Sequence, residues 1–188
     1  MRTEKEWDER ARIKSINRFP PLMKKNIEEI TNVIVPDEIE SSYIFGNTHT
    51  GKTVLACFML LQEEKNIFME GGPKHKDDFC ELISVADLIN KFKSCYEKKY
   101  EGPTESAILK QYQDIRLLVL DDFGTVKPTD WALHLLYSII DHRNNWLKKT
   151  IFTSNLSLEE ASIVLGDTRI TSRIERMCTL IKKQDYKK

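Results

Sequence analysis

The sequence predicts an α/β domain in which helices cover both faces of a mostly parallel central sheet. Apolar segments of strand length alternate with amphipathic helical segments along most of the 188 residues. Residues 117–120 form an unbroken apolar run ending in two acids, which indicates a parallel strand buried on both faces, near the middle of the sheet. Residues 42–45 form a shorter strand, joined by a glycine-containing turn to an apolar helix. This alternation favours a three-layer sandwich with ligands at the carboxyl ends of the strands.

The remaining elements continue the alternation. We predict strands at 80–85, 150–153 and 178–182. We predict helices at 53–62, 104–112 and 170–177, a helix that starts near residue 86, and a long helix that includes residues 131–140 and ends near residue 146. Ser157 and Glu160 have the spacing of a capping box, and Gly166 is placed to end the helix that they begin. We expect residues 63–78 to form a loop or a frayed excursion before the next strand, because they include two adjacent glycines and several charges.

Composition sets few limits on partners. The chain has 29 Lys and Arg against 29 Asp and Glu, so its net charge identifies neither a nucleic acid nor a membrane as a partner. No apolar run approaches the roughly 20 residues that cross a bilayer. The charged N-terminus does not resemble a signal peptide, so we expect a cytoplasmic protein. The four cysteines and four histidines lack the spacing of a zinc site.

The turn at residues 46–53 has the spacing of a phosphate-binding loop. Glycines let the backbone curl so that N–H groups face phosphate oxygens, and the helix N-terminus adds its dipole. Lys52 supplies charge to the β and γ phosphates, and Thr53 places a hydroxyl on Mg²⁺. The alternative is a glycine-rich turn with an ordinary surface lysine. The motif predicts a P-loop NTPase that binds ATP and Mg²⁺. Its residues are Gly46, Asn47, Thr48, His49, Thr50, Gly51, Lys52 and Thr53.

Polar residues follow two of the predicted strands and extend this site. Asp121 closes the 117–120 run and is the acid expected to hold the metal. Asp122 comes next and can polarise the attacking water, although it could instead cap a helix. Asn155 follows the 150–153 strand and can orient that water if the two strands are neighbours; otherwise it is a loop-forming residue.

Two arginines lie four residues apart at the predicted 170–177 helix, one just before it and one within it. Arg169 and Arg173 therefore share a face, from which they can reach a phosphate, an acid or another subunit. Two arginines on a helix are more often simply solvated.

With these motifs in order, the chain resembles AAA+ ATPases of the DnaC and IstB type over residues 43–177. The resemblance lies in six segments: GNTHTGKT at 46–53, ISVADLI at 83–89, LLVLDDFG at 117–124, IDHR at 140–143, IFTSN at 151–155 and LGDTRITSR at 165–173. It implies an AAA+ core at residues 39–188 without a full helical lid domain. A sensor 2 arginine and an adenine pocket are not assigned.

The resemblance also implies roles and partners. Asn155 corresponds to sensor 1, and Arg173 to the arginine finger that enters the ATP site of a neighbouring subunit, although Arg169 is an alternative. An arginine acting in trans implies a homo-oligomer, either a ring or a spiral. The resemblance further implies binding of single-stranded DNA, and of a replicative DNA helicase by a helical appendage at residues 1–38.

Four functions stay open on the sequence. The first is a DnaC-like helicase loader that hydrolyses ATP. The second is an IstB-like transposition ATPase on duplex DNA. The third is a small-molecule phosphotransferase with Arg169 and Arg173 in a lid. The fourth is a switch that binds ATP without hydrolysing it.

Overall fold

A single parallel sheet organises the protein, in a computed structural model that describes residues 12–29, 34–97, 99, 101–125 and 127–183. Its strands are β1 (Ser42–Phe45), β2 (Cys80–Ser84), β3 (Leu117–Asp121), β4 (Lys149–Ser154) and β5 (Thr179–Lys182). They lie in the order β2-β3-β4-β1-β5, and each neighbouring pair is parallel. The predicted parallel sheet is confirmed. β3 lies inside the sheet as expected, but β4 occupies its centre.

Eight helices belong to the described part of the chain. They are α1 (Arg12–Asn17), α2 (Pro21–Glu29), α3 (Lys52–Met69), α4 (Val85–Ser94), α5 (Glu105–Asp114), α6 (Asp130–Asn145), α7 (Leu158–Leu165) and α8 (Thr168–Met177). In that part of the chain, no helix combines the length and apolar character needed to cross a membrane. The predicted capping box at Ser157 and Glu160 is confirmed, and Gly166 ends α7 in the left-handed region at φ 67°.

The prediction that a loop begins at residue 63 was wrong, because α3 continues to Met69. Two tertiary contacts extend it. Ile67 is buried in the core beside the sheet. Glu63 is fully buried and accepts hydrogen bonds from Arg116 at 2.6 Å and Lys149 at 3.0 Å. These partners come from β4 and from the residue before β3, so a local sequence pattern does not reveal them.

The alternation of side chains along the strands creates two cores, one on each face of the sheet. Leu117 and Val119 of β3 pack on the side of α1, α2 and α3, whereas Leu118 and Leu120 pack on the side of the other five helices. The sheet is therefore the middle of three layers, as the sequence predicts. The polar residues at the carboxyl ends of β3 and β4 lie at the same edge of the sheet, because these strands are parallel neighbours.

The two N-terminal helices pack against α3. Ile16, Phe19 and Ile27 are buried in the core that α3 shares with the sheet. Arg18 pairs with Glu64 of α3 at 2.7 Å. Residues 1–11 and 30–33 of the predicted helical appendage lie outside the described ranges.

Candidate functional site

The phosphate-binding loop connects β1 to α3 in the conformation that its glycines permit. Gly46 and Gly51 have φ of 145° and 79°, in the region that favours glycine, and His49 is left-handed at φ 63°. A Cβ at Gly46 would collide with the carbonyl oxygen of Lys183. The loop is thus shaped locally by Gly51 and by the close approach of the chain after β5 to Gly46.

Lys52 opens α3 and turns its side chain back into the loop. Only 7% of the residue is exposed. Its Nζ donates hydrogen bonds to the carbonyl oxygens of Gly46 at 3.0 Å and Asn47 at 2.6 Å. Burial lowers the pKa of Lys52, while Asp122 and Asp121 oppose that shift. The ammonium group is therefore held inside the loop by backbone carbonyl oxygens.

Thr53 and Asp121 meet beside this lysine. The hydroxyl of Thr53 donates a hydrogen bond to Oδ1 of Asp121 at 2.9 Å, across 68 positions of sequence. Hydroxyl and carboxylate oxygens, with water, are the ligands that Mg²⁺ prefers. This donor set fits the metal that the P-loop motif predicts.

Asp122 begins the turn after β3 with a left-handed backbone at φ 56°. Burial raises the pKa of its carboxyl group, as does the neighbouring charge of Asp121, whereas Lys52 lowers it. The carboxyl group therefore holds its proton to a higher pH than an ordinary aspartate does. Asp122 also lines a cavity of about 370 Å³ between α4 and the turn that leads to α6.

Thr153 was not singled out by the sequence, yet it contacts both acids. It is fully buried in β4. Its hydroxyl donates to Oδ1 of Asp121 and accepts the backbone N–H of Asp122 at 3.2 Å. The available signal was its place two residues before Asn155, in a predicted strand whose position beside β3 the sequence left as a condition.

Asn155 comes directly after β4, and its side chain is exposed. Since β4 lies between β3 and β1, position 155 emerges at the sheet edge that also carries Asp121 and the phosphate-binding loop. The neighbouring strands required by the sequence argument are present. Its role toward water stays a prediction.

Arg173 is not at this site; it binds α6 within the same subunit. Its Nε donates to Asp141, its Nη2 to the Tyr137 hydroxyl at 2.6 Å, and its Nη1 to the carbonyl oxygen of Arg169 at 3.0 Å. Arg169 instead pairs with Asp167 at 2.7 Å, and both guanidinium groups lie over the ring of Tyr137. The side chain of Arg173 is 21% exposed and that of Arg169 61%.

Comparison with known proteins identifies a matching family and several similar proteins. The family model "IstB-like ATP binding protein" matches residues 16–183. The replicative helicase loader DnaC of Escherichia coli K12 is 27% identical over 138 residues, which are 71% of this chain and 50% of DnaC. DnaC of Buchnera aphidicola is 26% identical over the same shares of both chains. This chain thus spans about half the length of the curated relatives it matches.

Solved structures share the fold. The crystal structure of the DnaC helicase loader has a TM-score of 0.61 at 23% identity, covering 97% of this chain and 100% of that one. The replication initiator DnaA bound to AMPPCP and single-stranded DNA has a TM-score of 0.62 at 17% identity, covering 94% and 46%. The fold is therefore the P-loop AAA+ fold of these proteins. Because the family model covers most of its length, the chain belongs to the IstB-like ATP-binding family.

Proposed function

We propose that this protein hydrolyses ATP and is a DnaC-like loader of the replicative DNA helicase that acts on single-stranded DNA. The observation that carries the hydrolytic part is the contact between Thr53 and Asp121 at 2.9 Å, with Asp122 next in the chain. The likeness to the DnaC helicase loaders supports the choice of partner. The following roles are parts of this proposal.

The ground-state contacts of ATP belong to the loop at residues 46–53. Lys52 neutralises charge on the phosphates after exchanging the carbonyl oxygens it now binds. Thr53 and Asp121 would hold Mg²⁺, which supplies charge neutralisation at the phosphates when bound. The buried position of Lys52 favours this exchange, because a desolvated ammonium group gains more from an anion than from a carbonyl dipole.

Asp122 accepts a proton from the attacking water in this proposal, and Asn155 orients that water. The left-handed backbone of Asp122 ends the strand conformation at this residue. Its carboxyl must be ionised to act as an acceptor, so hydrolysis should decline as the pH falls through its raised pKa.

Arg173 stabilises charge on the γ-phosphate of a neighbouring subunit in this proposal, which requires a homo-oligomer in a ring or spiral. The arginine now binds Asp141 and Tyr137 in its own subunit. Its guanidinium group must therefore be presented by those residues or leave them when subunits meet. The more exposed Arg169 is the alternative trans residue.

Residues 1–38 form the helicase-binding element in this proposal, and residues 39–188 the ATPase core. The burial of Ile16, Phe19 and Ile27 against α3 supports a physical link between the two parts. α3 is the helix that begins with Lys52, so a partner bound to the appendage would be connected to the ATP site through the packing of α1 and α2 on α3.

The cavity beside Asp122 supports binding of single-stranded DNA. Apolar side chains such as Ile89 line it together with Lys93 and Lys127, and both lysines are exposed. Cations bind the phosphates of a single strand, and the apolar side chains offer surface against which its bases could pack. Exchanging Lys93 and Lys127 for alanine should weaken binding of an oligonucleotide about tenfold or more and reduce its salt dependence.

Hydrolysis and loading should be measured with the replicative helicase from the same source, with and without single-stranded DNA. We expect ATP-dependent binding and loading of the helicase by the wild type. Asp121→Asn and Asp122→Asn should each reduce hydrolysis about 100-fold or more, whereas Asp37→Asn, an exposed acid before β1, should not. Absence of hydrolysis under every condition would leave a non-hydrolysing ATP switch.

Mixing variant subunits tests the trans arginine. Arg173→Ala and Lys52→Ala should each be inactive alone. Their mixture should regain hydrolysis, because a Lys52→Ala subunit offers an intact Arg173 to the intact loop of its neighbour. The same mixture with Arg169→Ala identifies which arginine acts. If the protein is a monomer, and mixing Arg173→Ala with Lys52→Ala restores no activity, the result supports the phosphotransferase instead.

An IstB-like role on duplex DNA is the second candidate, favoured by the family match. It predicts that duplex binding exceeds single-strand binding at matched salt, and that a transposase rather than a helicase associates with the protein. The same binding assays therefore separate the two functions.

A further inference from the structure

One hydroxyl group connects the two acids of the site. Thr153 is fully buried near the carboxyl end of β4. Its Oγ1 donates a hydrogen bond to Oδ1 of Asp121 and accepts one from the N–H of Asp122 at 3.2 Å. A hydroxyl has one proton and two lone pairs, so this single group binds the carboxylate of one acid and the backbone of the next.

The Asp121 carboxylate is consequently held from two elements. Thr53 of α3 donates to Oδ1 at 2.9 Å, and Thr153 of β4 donates to the same oxygen. Two donors on one oxygen restrict the rotation of the carboxyl group, which a single donor would allow. Oδ2 accepts no hydrogen bond from the described residues, so it would be available to a water ligand of the metal.

Thr153 also supports the backbone conformation of Asp122. A left-handed φ of 56° is unfavourable for an aspartate compared with glycine. Two hydrogen bonds stabilise the turn. The N–H of Asp122 donates to the Thr153 hydroxyl, and the N–H of Phe123 donates to the Thr153 carbonyl oxygen at 2.8 Å. The direction of the Asp122 side chain thus depends on the residue that also fixes Asp121.

We propose that Thr153 is a positioning residue of the hydrolysis site, which aligns Asp121 for the metal and Asp122 for the attacking water. This inference rests on the proposed ATPase function. It gives β4 a second contribution to the site besides Asn155. Movement of β4 relative to β3 would then change both acids together.

A buried threonine hydroxyl in β4 can also support the fold alone. The test must therefore separate positioning of the two acids from support of the fold. Thr150, also buried, bonds Arg143 at 2.8 Å at the other end of β4. Loss of the Thr153 hydroxyl leaves two ties of the turn to β4 intact: the backbone bond from Phe123, and the hydrogen bond of Ser154 to the Phe123 carbonyl at 2.7 Å. Thr153→Val, which is nearly isosteric, should therefore keep the fold.

The experiment compares wild type, Thr153→Val, Thr153→Ser and Ser42→Ala. The last variant is a control that removes another buried strand hydroxyl, which bonds the local carbonyl of Glu40. ATP affinity is measured by calorimetry in EDTA and across a Mg²⁺ titration, and hydrolysis is measured in parallel. Affinity in EDTA reports the loop and the fold, whereas the Mg²⁺ requirement reports Asp121.

We expect Thr153→Val to bind ATP in EDTA within about twofold of wild type, but to need about tenfold or more Mg²⁺, the change expected for losing one hydrogen bond to a charged group. Thr153→Ser and Ser42→Ala should resemble wild type. A normal Mg²⁺ requirement in Thr153→Val would overturn the inference. So would a Thr153→Ser variant as impaired as any lacking the hydroxyl, because the methyl group would then be what matters.

The Mg²⁺ titration needs no turnover, so it separates the two proposals. A wild type that binds ATP with Mg²⁺ but never hydrolyses it contradicts the proposed ATPase function, and the titration still decides whether Thr153 positions Asp121. Hydrolysis in the wild type with an unchanged titration in Thr153→Val contradicts the role of Thr153 alone.

Discussion

Nη2 of Arg173 donates a hydrogen bond to the Tyr137 hydroxyl at 2.6 Å, and the guanidinium carbon lies 4.5 Å from the centre of the same ring. The contact joins α8 to α6 inside one subunit. Arg173 therefore contributes to the fold of the monomer independently of any action toward a neighbouring subunit.

Arg173→Ala should reduce the free energy of unfolding by about 1–2 kcal/mol, because it removes charge-assisted hydrogen bonds from a mostly covered side chain. Arg169→Ala should cost less than Arg173→Ala, since its ion pair with Asp167 is largely exposed on the arginine side. Urea denaturation of both variants checks this difference. Equal losses would contradict the ranking.

Arg143→Met should be strongly destabilising, by about 3 kcal/mol or more, because it leaves several buried acceptors without a donor. Arg143 is fully buried, and burial lowers its pKa to about 9. It donates to the carbonyl oxygens of Tyr112 at 2.9 Å and Ile115 at 3.0 Å, besides others at the start of β4. Methionine would leave these acceptors unpaired. Urea denaturation should show the loss, and the exposed Arg176→Met should change stability by under about 0.5 kcal/mol.

Gly46→Ala should cost about 3 kcal/mol of stability and abolish ATP binding. Alanine is strained at φ 145°, and its Cβ would meet the backbone of Lys183, which cannot move without shifting the end of the sheet. Gly166→Ala is the matched control. It is also left-handed but has open space around it, so it should cost about 1 kcal/mol and leave ATP binding intact. Calorimetric binding and urea denaturation distinguish them.

Cys57 should resist alkylation in the native protein. It is fully buried on α3, and burial raises its thiol pKa to about 12, with the charge of Asp121 adding to the shift. At pH 8 the thiolate is then only about one part in ten thousand. Peptide mass spectrometry after iodoacetamide should find the half-buried Cys95 modified first. Comparable native rates at both positions would contradict the burial of Cys57.

The ion pair at the start of α8 should contribute stability that depends on pH. Hydrogen bonds from Arg169 hold the pKa of Asp167 below its ordinary value. A carboxyl whose pKa is lower in the folded state stabilises the fold above its unfolded pKa, about 3.9, and loses that contribution as the pH falls through the folded value. Asp167→Asn should therefore cost about 1 kcal/mol at pH 7. Urea denaturation across pH should show the two proteins converging in acid.

Much of the fold was predictable because its signals are local. The strand and helix patterns predicted the parallel sheet, and Ser157 and Gly166 predicted the ends of α7, since caps depend on residues a few positions apart. The continuation of α3 was not predictable. It depends on Glu63, whose partners Arg116 and Lys149 lie 53 and 86 positions away.

The sequence by itself determined the position of the phosphate-binding loop, because residues 46–53 are contiguous and Gly51 sets its backbone locally. It also determined that acids would follow a buried strand. Only the tertiary structure decided that Thr153 holds both Asp121 and Asp122, and that Arg173 rests on Tyr137. Those contacts depend on strand order and helix packing, which bring together side chains more than 30 positions apart that carry no shared pattern in the chain.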